Sequence, residues 1–412
     1  MIAKRSILPI IALSTALSLT ACSAHDITQR EMSGATHAAA QHTGAVHNTG
    51  SGIPAENQSE KRAGNYPVLD LTNKQALETI LPRLSRDRVV YVGETHDRYD
   101  HHLNQLEVIR RLHRIKPDMA IGMEFFQQSF QSVLDDYISG RISEKEMLLG
   151  SEWYDRWRYD YRLYRPIMQY AREHGIPVIA LNVARELTDR VSKVGIDGLT
   201  QAERAQIPPE IETGNARYRL RIQEVYRTHP HADNGGFERF LEVQLAWDEG
   251  MAERVVRYLR EHSDRTMVVL AGSGHLMYGT GIPDRVQRRL PVAAHLLLPA
   301  DSIVLHPGIA DFVVFTEPAE LPRAGLMGVL LDQAEQGVRV GSVVSGSAAD
   351  QAGMEEGDII RRLNGETVNS TADIKIGMLD QSPGAAVELQ VLRKRLVLGE
   401  KLLQFEFALG GD

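Results

Sequence analysis

The sequence predicts an α/β fold: a central, mainly parallel sheet flanked by helices, followed by a small C-terminal domain of short strands and helices. Between residues 66 and 318, short apolar runs that end at Gly or at polar residues alternate with segments of helical periodicity. Strands that read as continuous apolar runs are typical of parallel sheets, which are covered by helices on both faces. Four such runs are the predicted strands at 88–93, 119–123, 177–182 and 266–272.

Polar side chains follow these predicted strands at the point where each one ends. In parallel sheets, ligands bind outside the carboxyl ends of the strands. The convergence of polar residues at one edge is therefore the strongest functional signal in the chain. The residues concerned are Glu94, His96, Glu124, Asn182 and His275.

The connecting segments have the spacing of amphipathic helices. Apolar residues recur at helical intervals over 100–115 and 237–259, and a further strand is predicted at 292–298. Thr72-Asn-Lys-Gln75 has the form of a capping box and predicts the start of a first helix. His101 and His102 fall in the first turn of the 100–115 helix, where a neutral imidazole can bind iron or a divalent metal, or can simply be solvated.

An aromatic segment, Trp153-Tyr-Asp-Arg-Trp-Arg-Tyr-Asp-Tyr-Arg-Leu-Tyr164, has the most unusual composition of the chain. We call residues 153–164 the aromatic insert. If it is helical, Tyr154, Trp157, Tyr161 and Tyr164 share one face, with arginines to one side. Such a face suits a planar apolar ligand that carries carboxylates, or else it packs in the core.

Several common chemistries lack their sequence motifs. Gly272-x-Gly274 is not followed by the third glycine of a dinucleotide-binding loop, because Met277 stands there. The chain contains no GxxxxGK[ST], HExxH or GxSxG motif. A net charge of -8 argues against nucleic acid as a partner.

The first 65 residues predict export and lipid attachment. Residues 1–21 have a basic start and an apolar stretch too short to span a bilayer, as in a signal peptide. Leu19-Thr-Ala-Cys22 resembles the lipobox of bacterial lipoproteins, which implies cleavage before Cys22, acylation there (palmitate included) and residence in the outer membrane. Cys22 is the only cysteine, so no disulfide is expected. Residues 22–65 are rich in Ala, Gly, Ser and His, and predict a disordered tether.

The ordered set of motifs over about residues 68–300 resembles the ChaN-like haem-binding lipoprotein family. The motifs are Gly93-Glu-Thr-His96, Gly122-Met-Glu124, the aromatic insert, Asn182-Val-Ala-Arg185 and Gly272-Ser-Gly-His275-Leu-Met-Tyr278. The resemblance implies a role in haem or iron uptake, with haem held between two protomers of a homodimer, a tyrosine on iron and histidine support. The implied haem-binding residues are His96, His101, His102, Tyr154, Tyr161, Tyr164, Arg185, His275 and Tyr278.

The same motifs resemble a wider superfamily that includes Tiki metalloproteases and erythromycin-esterase-like hydrolases. That resemblance implies an alternative, a hydrolase that uses Mn, Co or Zn to activate water. The metal ligands would be Glu94, His96, Glu124 and His275, with Glu94 and Glu124 as catalytic groups. A third interpretation is a scaffold in which only the C-terminal domain has a binding role.

Residues 322–412 resemble a PDZ domain. Gly325-Leu-Met-Gly328 is similar to the carboxylate-binding loop of that fold, and Asn364-Gly365 is a hairpin turn signal. The resemblance implies that a C-terminal or extended peptide of an envelope protein adds to the strand after the loop. The N–H groups of Leu326, Met327 and Gly328 would hold the carboxylate of that peptide.

Overall fold

The computed structural model describes residues 72–228, 236–395 and 399–411. The predicted signal peptide, Cys22 and the whole of the predicted tether lie outside the described residues. In the part that is described, no helix is both long and apolar enough to cross a bilayer.

The first domain is built on a six-stranded sheet in the order β3-β2-β4-β1-β5-β6. Every neighbouring pair in it is parallel, which confirms the predicted fold class. The strands are β1 (Val89–Glu94), β2 (Met119–Gln127), β3 (Val178–Asn182), β4 (Thr266–Gly272), β5 (Ala294–Pro299) and β6 (Phe312–Val314).

Both faces of this sheet are buried, as the continuous apolar runs predict. Val90 and Val92 pack into one hydrophobic core, whereas Val89 and Tyr91 pack into another on the opposite face. This alternation follows from the two-residue period of a strand.

Helices cover the two faces. They are α1 (Leu77–Leu84), α2 (Tyr99–Ile115), α3 (Gln131–Ile138), α4 (Glu144–Gly150), α5 (Trp153–Arg156), α6 (Arg165–Glu173), α7 (Arg185–Val194), α8 (Gln201–Arg204), α9 (Ala216–Arg227), α10 (Phe237–Glu261), α11 (Ser273–Leu276) and α12 (Ile282–Arg289). The predicted helices at 100–115 and 237–259 agree with α2 and α10 within two residues.

The capping box predicted at Thr72 is wrong. Helix α1 begins at Leu77 after Ala76, whose side chain makes no capping bond. Leu77, Ile80 and Leu81 pack against the core, so tertiary packing rather than a local cap places the start of this helix.

The aromatic insert is not one helix. It begins as α5, leaves helical geometry at Arg158, where φ is +74°, and forms a 3₁₀ turn over Tyr161–Leu163 before α6. Pro166 lies in the first turn of α6, a position that proline favours, but it would break a helix that continued from α5.

The C-terminal domain is an antiparallel sheet in the order β12-β11-β9-β8-β7, with β10 paired to β9. Its antiparallel pairing agrees with the predicted PDZ fold. The strands are β7 (Val329–Gln333), β8 (Val338–Val343), β9 (Ile359–Leu363), β10 (Glu366–Thr367), β11 (Ala386–Arg395) and β12 (Gly399–Ala408), and the helices are α13 (Ala348–Gln351) and α14 (Thr371–Gly377).

Candidate functional site

The strand order brings the predicted polar residues together. Strand β4 lies between β1 and β2, and Glu94 at the end of β1 is in register with Gly272 at the end of β4. Glu124 is part of the neighbouring β2, so its side chain and those that follow β1 and β4 share one edge of the sheet.

A buried carboxylate and a histidine form the first element of the site. His96 Nδ1 lies 2.5 Å from Glu94 Oε1, and the Glu94 side chain has no exposed surface. Although burial opposes protonation, the Glu94 charge raises the pKa of His96 to about 9. The pair holds the imidazole in a fixed orientation, and its Nε2 makes no hydrogen bond with any described residue.

The second oxygen of Glu94 is buried without a hydrogen-bond partner among the described residues. His102 Nε2 is 3.6 Å from Glu94 Oε2 and 3.2 Å from the backbone oxygen of His96. His102 Nδ1 donates to the side-chain oxygen of Gln105 at 3.1 Å, and the side-chain nitrogen of Gln105 donates to the carbonyl of Val92. His102 therefore supports the loop after β1, and burial lowers its pKa.

A second carboxylate–histidine pair faces the first. His275 Nδ1 lies 2.6 Å from Asp248 Oδ1, and Asp248 also accepts the hydroxyl of Tyr218 at 2.7 Å. His275 Nε2 is 3.4 Å from Glu124 Oε1, while the other oxygen of Glu124 accepts the N–H of Gly272 at 2.7 Å.

Gly272 marks the point where the two pairs meet. A Cβ added there would lie 3.0 Å from His96 Cε1 and 3.6 Å from Glu124 Oε2. The lack of a side chain at this strand end therefore allows the imidazole and the carboxylate to approach each other across the sheet edge.

Part of the aromatic insert forms a wall beside His96. The ring centroids of Trp157 and Tyr159 lie 4.8 and 5.1 Å from that of His96. Tyr164 is fully buried, donates its hydroxyl to the His96 carbonyl at 3.0 Å and accepts from Trp157 Nε1 at 3.0 Å. Tyr159 is half-buried, and its hydroxyl has no hydrogen-bond partner among the described residues.

The other predicted haem-binding tyrosines lie elsewhere. Tyr161 is fully buried and donates its hydroxyl to Glu144, and the Tyr154 ring packs in the core under Lys375. Tyr278 is half-buried, has a φ of +60° and lies beside His306 and Arg217.

Arg185 is the first residue of α7 and contacts the aromatic insert. Its backbone N–H donates to Gln127 and its guanidinium reaches the carbonyl of Asp155. It therefore ties α7 to β2 and to α5, and Asn182, which ends β3, is its near neighbour in sequence.

His101 is held in a structural network. Its Nδ1 accepts the N–H of Thr95 at 3.0 Å, so Nε2 carries the proton that it donates to Asp301 at 2.8 Å. Asp100, His101 and Asp301 are the one group in the described residues whose ligand atoms lie within 4.8 Å of one another. Arg98 bridges both carboxylates, at 2.8 and 2.6 Å, so the cationic partner of this group is a guanidinium.

Asp248, Tyr218 and Arg221 at the site were not predicted. Asp248 is buried on α10, and Arg221, which is also buried, donates to the carbonyl of Gly274. The one available signal is that Asp248 interrupts the apolar face of a long helix, where an acidic residue needs a partner.

A model of the family described as haem-binding uptake, Tiki superfamily, ChaN, matches residues 80–286, half of the chain. The chain belongs to this family. A PDZ domain model matches residues 325–408. Both findings confirm the resemblances that the motifs predicted.

Among solved structures, one titled "Cofacial heme binding to ChaN of Campylobacter jejuni" is similar to this ChaN-family chain. The similarity covers 60% of this chain and 93% of the Campylobacter jejuni chain, at 16% identity and a TM-score of 0.50. At that identity the likeness establishes the fold of the first domain.

Two curated relatives match parts of the chain. Protein RETICULATA-RELATED 5, chloroplastic, of Arabidopsis thaliana is 25% identical over 240 residues, 53% of this chain and 32% of its own length. Serine protease Do-like HtrB of Bacillus subtilis is 42% identical over 85 residues, 20% of this chain and 19% of its own length. The chain thus spans a third or less of these relatives.

In the PDZ domain, the predicted carboxylate-binding loop has one N–H fewer to offer than expected. Leu326 N–H donates to the Gly410 carbonyl at 2.8 Å and so is already used. The N–H groups of Met327 and Gly328 donate to no described residue. Gly328 has a φ of +81°, and its missing side chain leaves room for Ser347, since an added Cβ would lie 2.1 Å from the Ser347 Cβ.

Proposed function

We propose that the first domain binds haem at the carboxyl edge of its sheet, with Tyr159 as the iron ligand and His96 as its support. The observation that carries this proposal is the half-buried Tyr159 hydroxyl, which is unpartnered among the described residues and lies beside the Glu94–His96 pair. Haem iron accepts tyrosinate as an axial ligand.

The residues at this edge fit a haem group. Trp157 and Tyr159 offer partly exposed aromatic surface for a planar apolar macrocycle, and the buried Glu94 oxygen without a partner favours nearby positive charge. Burial, together with Glu94, Asp97 and Glu124, raises the pKa of Tyr159 to about 12. Tyrosinate at neutral pH therefore needs the charge of ferric iron beside it.

His96 would lie beside the iron ligand and help to hold it in position. The Glu94 carboxylate fixes its Nδ1, as carboxylates commonly do for histidines near a metal, and this leaves Nε2 toward the edge shared with Gly272. When bound, haem supplies its iron as the Lewis acid of the complex, and the chain supplies orientation and charge balance.

A haemin titration followed by absorbance tests this assignment. We expect a saturable Soret change with the high-spin band of a tyrosinate complex, and its loss in Tyr159→Phe. Tyr170→Phe is the matched control, because Tyr170 is also partly buried but its hydroxyl pairs with His113 in the last turn of α2. Retention of the tyrosinate band in Tyr159→Phe with its loss in Tyr278→Phe would overturn the assignment.

The wider role that we propose is haem or iron uptake by an outer-membrane lipoprotein anchored through Cys22. The lipobox pattern at Leu19–Cys22 supports it. Mass spectrometry of the membrane fraction tests the anchor: acyl chains on Cys22 are expected, and Cys22→Ser is expected to release the protein. An unmodified Cys22 would remove this part of the proposal.

We further propose that haem joins two copies of the chain, as a partly exposed site at a sheet edge would allow. His96 and His275 keep 15% and 17% of their side-chain surface exposed, so a second protomer has access to the edge. Sedimentation with and without haemin tests this: a haemin-dependent dimer is expected, and a haem-loaded monomer would contradict it.

In the C-terminal domain, we propose that a peptide with a free terminal carboxylate adds to β7. That strand is the edge of its sheet, and the N–H groups of Met327 and Gly328 face no acceptor among the described residues. Peptide binding followed by fluorescence anisotropy tests this, and equal affinity for an amidated peptide would refute carboxylate recognition.

A hydrolase is the second candidate. The observation that favours it is the presence of two carboxylate–histidine pairs, Glu94–His96 and Asp248–His275, on either side of Glu124. The predicted metal set does not form a compact group in this conformation, since the group with converging ligand atoms is that of His101. Stoichiometric Mn, Co or Zn in purified protein, with ester or peptide cleavage lost in Glu124→Gln, would favour the hydrolase over haem binding.

A further inference from the structure

A cavity of about 450 Å³ lies between the peptide groove of the PDZ domain and the aromatic insert. One wall is formed by the carboxylate-binding loop, β7 and α14, and the other by the insert. The residues of the insert that line it are Tyr154, Arg158, Asp160 and Arg162. A peptide added to β7 therefore has the first domain as its second wall.

Helix α14 is shared by the two surfaces. Ile374 and Met378 line the cavity, while Ala372 and Ile376 pack into the hydrophobic core that contains Tyr154. The groove helix is therefore anchored on the first domain by a buried apolar contact.

The charges of the cavity favour an acidic peptide. Arg158 is exposed, and the one hydrogen bond of its side chain among the described residues is to the carbonyl of Asp155, so its charge is not paired with a carboxylate there. Lys375 is exposed on the α14 side, with its ammonium 5.2 Å from the Tyr154 ring centroid. Asp160 is already paired with Arg162. A terminal carboxylate and one acidic side chain would balance the two remaining cations.

Arg158 also occupies a strained position next to the proposed haem wall. Its φ of +74° is uncommon for a residue with a side chain. The rings of the residues on either side, Trp157 and Tyr159, lie against that of His96. Trp153 Nε1 donates to the carbonyl of Tyr159 at 2.9 Å, which ties this stretch back to α5. Strain of this kind is held by surrounding contacts, and such residues are frequent at switches.

We infer that an acidic carboxyl-terminal peptide in this cavity binds Arg158 and thereby strengthens haem binding at the Tyr159–His96 edge. This inference rests on the proposed haem function. In the conformation described here, the cavity is open and Tyr159 lies against His96. A peptide that binds this conformation therefore also stabilises the contact of Trp157 and Tyr159 with His96. Ligands that favour one conformation stabilise each other's binding, by equal factors in both directions.

The experiment measures this linkage on the mature full-length chain. Haemin affinity is determined by absorbance with and without a saturating peptide that has an apolar last residue and an upstream Glu. Peptide affinity is determined by anisotropy with and without haemin. We expect haemin to bind at least about fivefold more tightly with peptide, and the peptide to gain the same factor with haemin. Unchanged or weaker haemin binding would overturn the inference.

Variants separate the coupling from its parts. Arg158→Gly retains access to positive φ but removes the guanidinium. In this variant, the ratio of haemin affinity with peptide to haemin affinity without peptide is expected to fall to one. Arg141→Gly, which removes an exposed arginine paired with Asp136 outside the cavity, is expected to keep the full ratio. An equal ratio in the two variants would contradict a role for Arg158.

The peptide itself supplies a further control. Replacing its Glu with Gln is expected to weaken peptide binding to the wild type and to leave binding to Arg158→Gly unaltered. Haemin binding in the absence of peptide reports the proposed function by itself, so loss of haem binding and loss of coupling give different results.

Discussion

Replacing Glu94 with Gln is expected to change how the stability of the first domain depends on pH. Glu94 is the main source of positive shift in the pKa of His96, which rises from an ordinary 6.5 to about 9 against the opposing effect of burial. At about 1.4 kcal/mol for each unit of pKa shift, the raised pKa of His96 corresponds to about 3 kcal/mol of stability.

The direction follows from which state binds the proton more tightly. The folded protein holds the His96 proton up to about pH 9, whereas the unfolded chain releases it near 6.5. This contribution is therefore complete below pH 6.5 and is lost as the pH rises through 9. The pKa of Glu94 itself is lowered, with burial opposed by the charges of His96 and His102, so it titrates below this window.

Urea unfolding followed by tryptophan fluorescence measures the effect in the right domain, because all three tryptophans, Trp153, Trp157 and Trp247, lie in it. Between pH 6 and 9.5, the wild type is expected to lose about 3 kcal/mol more than Glu94→Gln does. Glu107→Gln, which removes a carboxylate paired with Arg111 on α2, is the control and should follow the wild type. Equal pH dependence in wild type and Glu94→Gln would show that Glu94 does not stabilise protonated His96.

Two further substitutions test packing and charge pairing. Gly93→Ala places a Cβ 2.4 Å from a leucine methyl group of β5 and should destabilise the first domain by about 1–3 kcal/mol in urea. Gly274→Ala, with nothing within 4 Å, should have little effect, and equal costs would contradict this account. Arg393→Ala leaves the carboxylate of Asp358, which has no exposed side-chain surface, without its cation and should cost about 3 kcal/mol. Arg339→Ala breaks an exposed pair and should cost less than about 1 kcal/mol. Hydrogen exchange in β9 and β11 measures both, and similar exchange rates in the two variants would argue against a stabilising buried pair.

The sheet and its functional edge could be predicted because both follow from local patterns. Apolar runs that end at Glu94, Glu124 and His275 specify buried parallel strands, and the carboxyl ends of such strands share one edge. The order β2-β4-β1 then decides which of these residues meet, and that order is a long-range property.

The aromatic insert could not be predicted in the same way. Its three- and four-residue spacing suits a helix, but Pro166 and the hydrogen bond from Trp153 to the Tyr159 carbonyl favour a break at Arg158. The break changes which tyrosine faces the site: Tyr159 lies beside His96, whereas Tyr161 is buried against Glu144.

Burial likewise separates histidines that look alike in the sequence. His101 and His102 are adjacent, yet His101 is fixed by Thr95 and Asp301, and His102 braces the carbonyl of His96. Partners from the segments after β1 and after β5 decide these roles, and spacing along α2 carries no information about them.

A crystal structure of the haem-loaded protein that locates the iron tests Tyr159 as the iron ligand most directly. We expect iron coordinated by the Tyr159 hydroxyl, with His96 beside it still held by Glu94. Iron bound to Tyr278 or to the His275 side of the edge, with Tyr159 remote from it, would contradict this assignment.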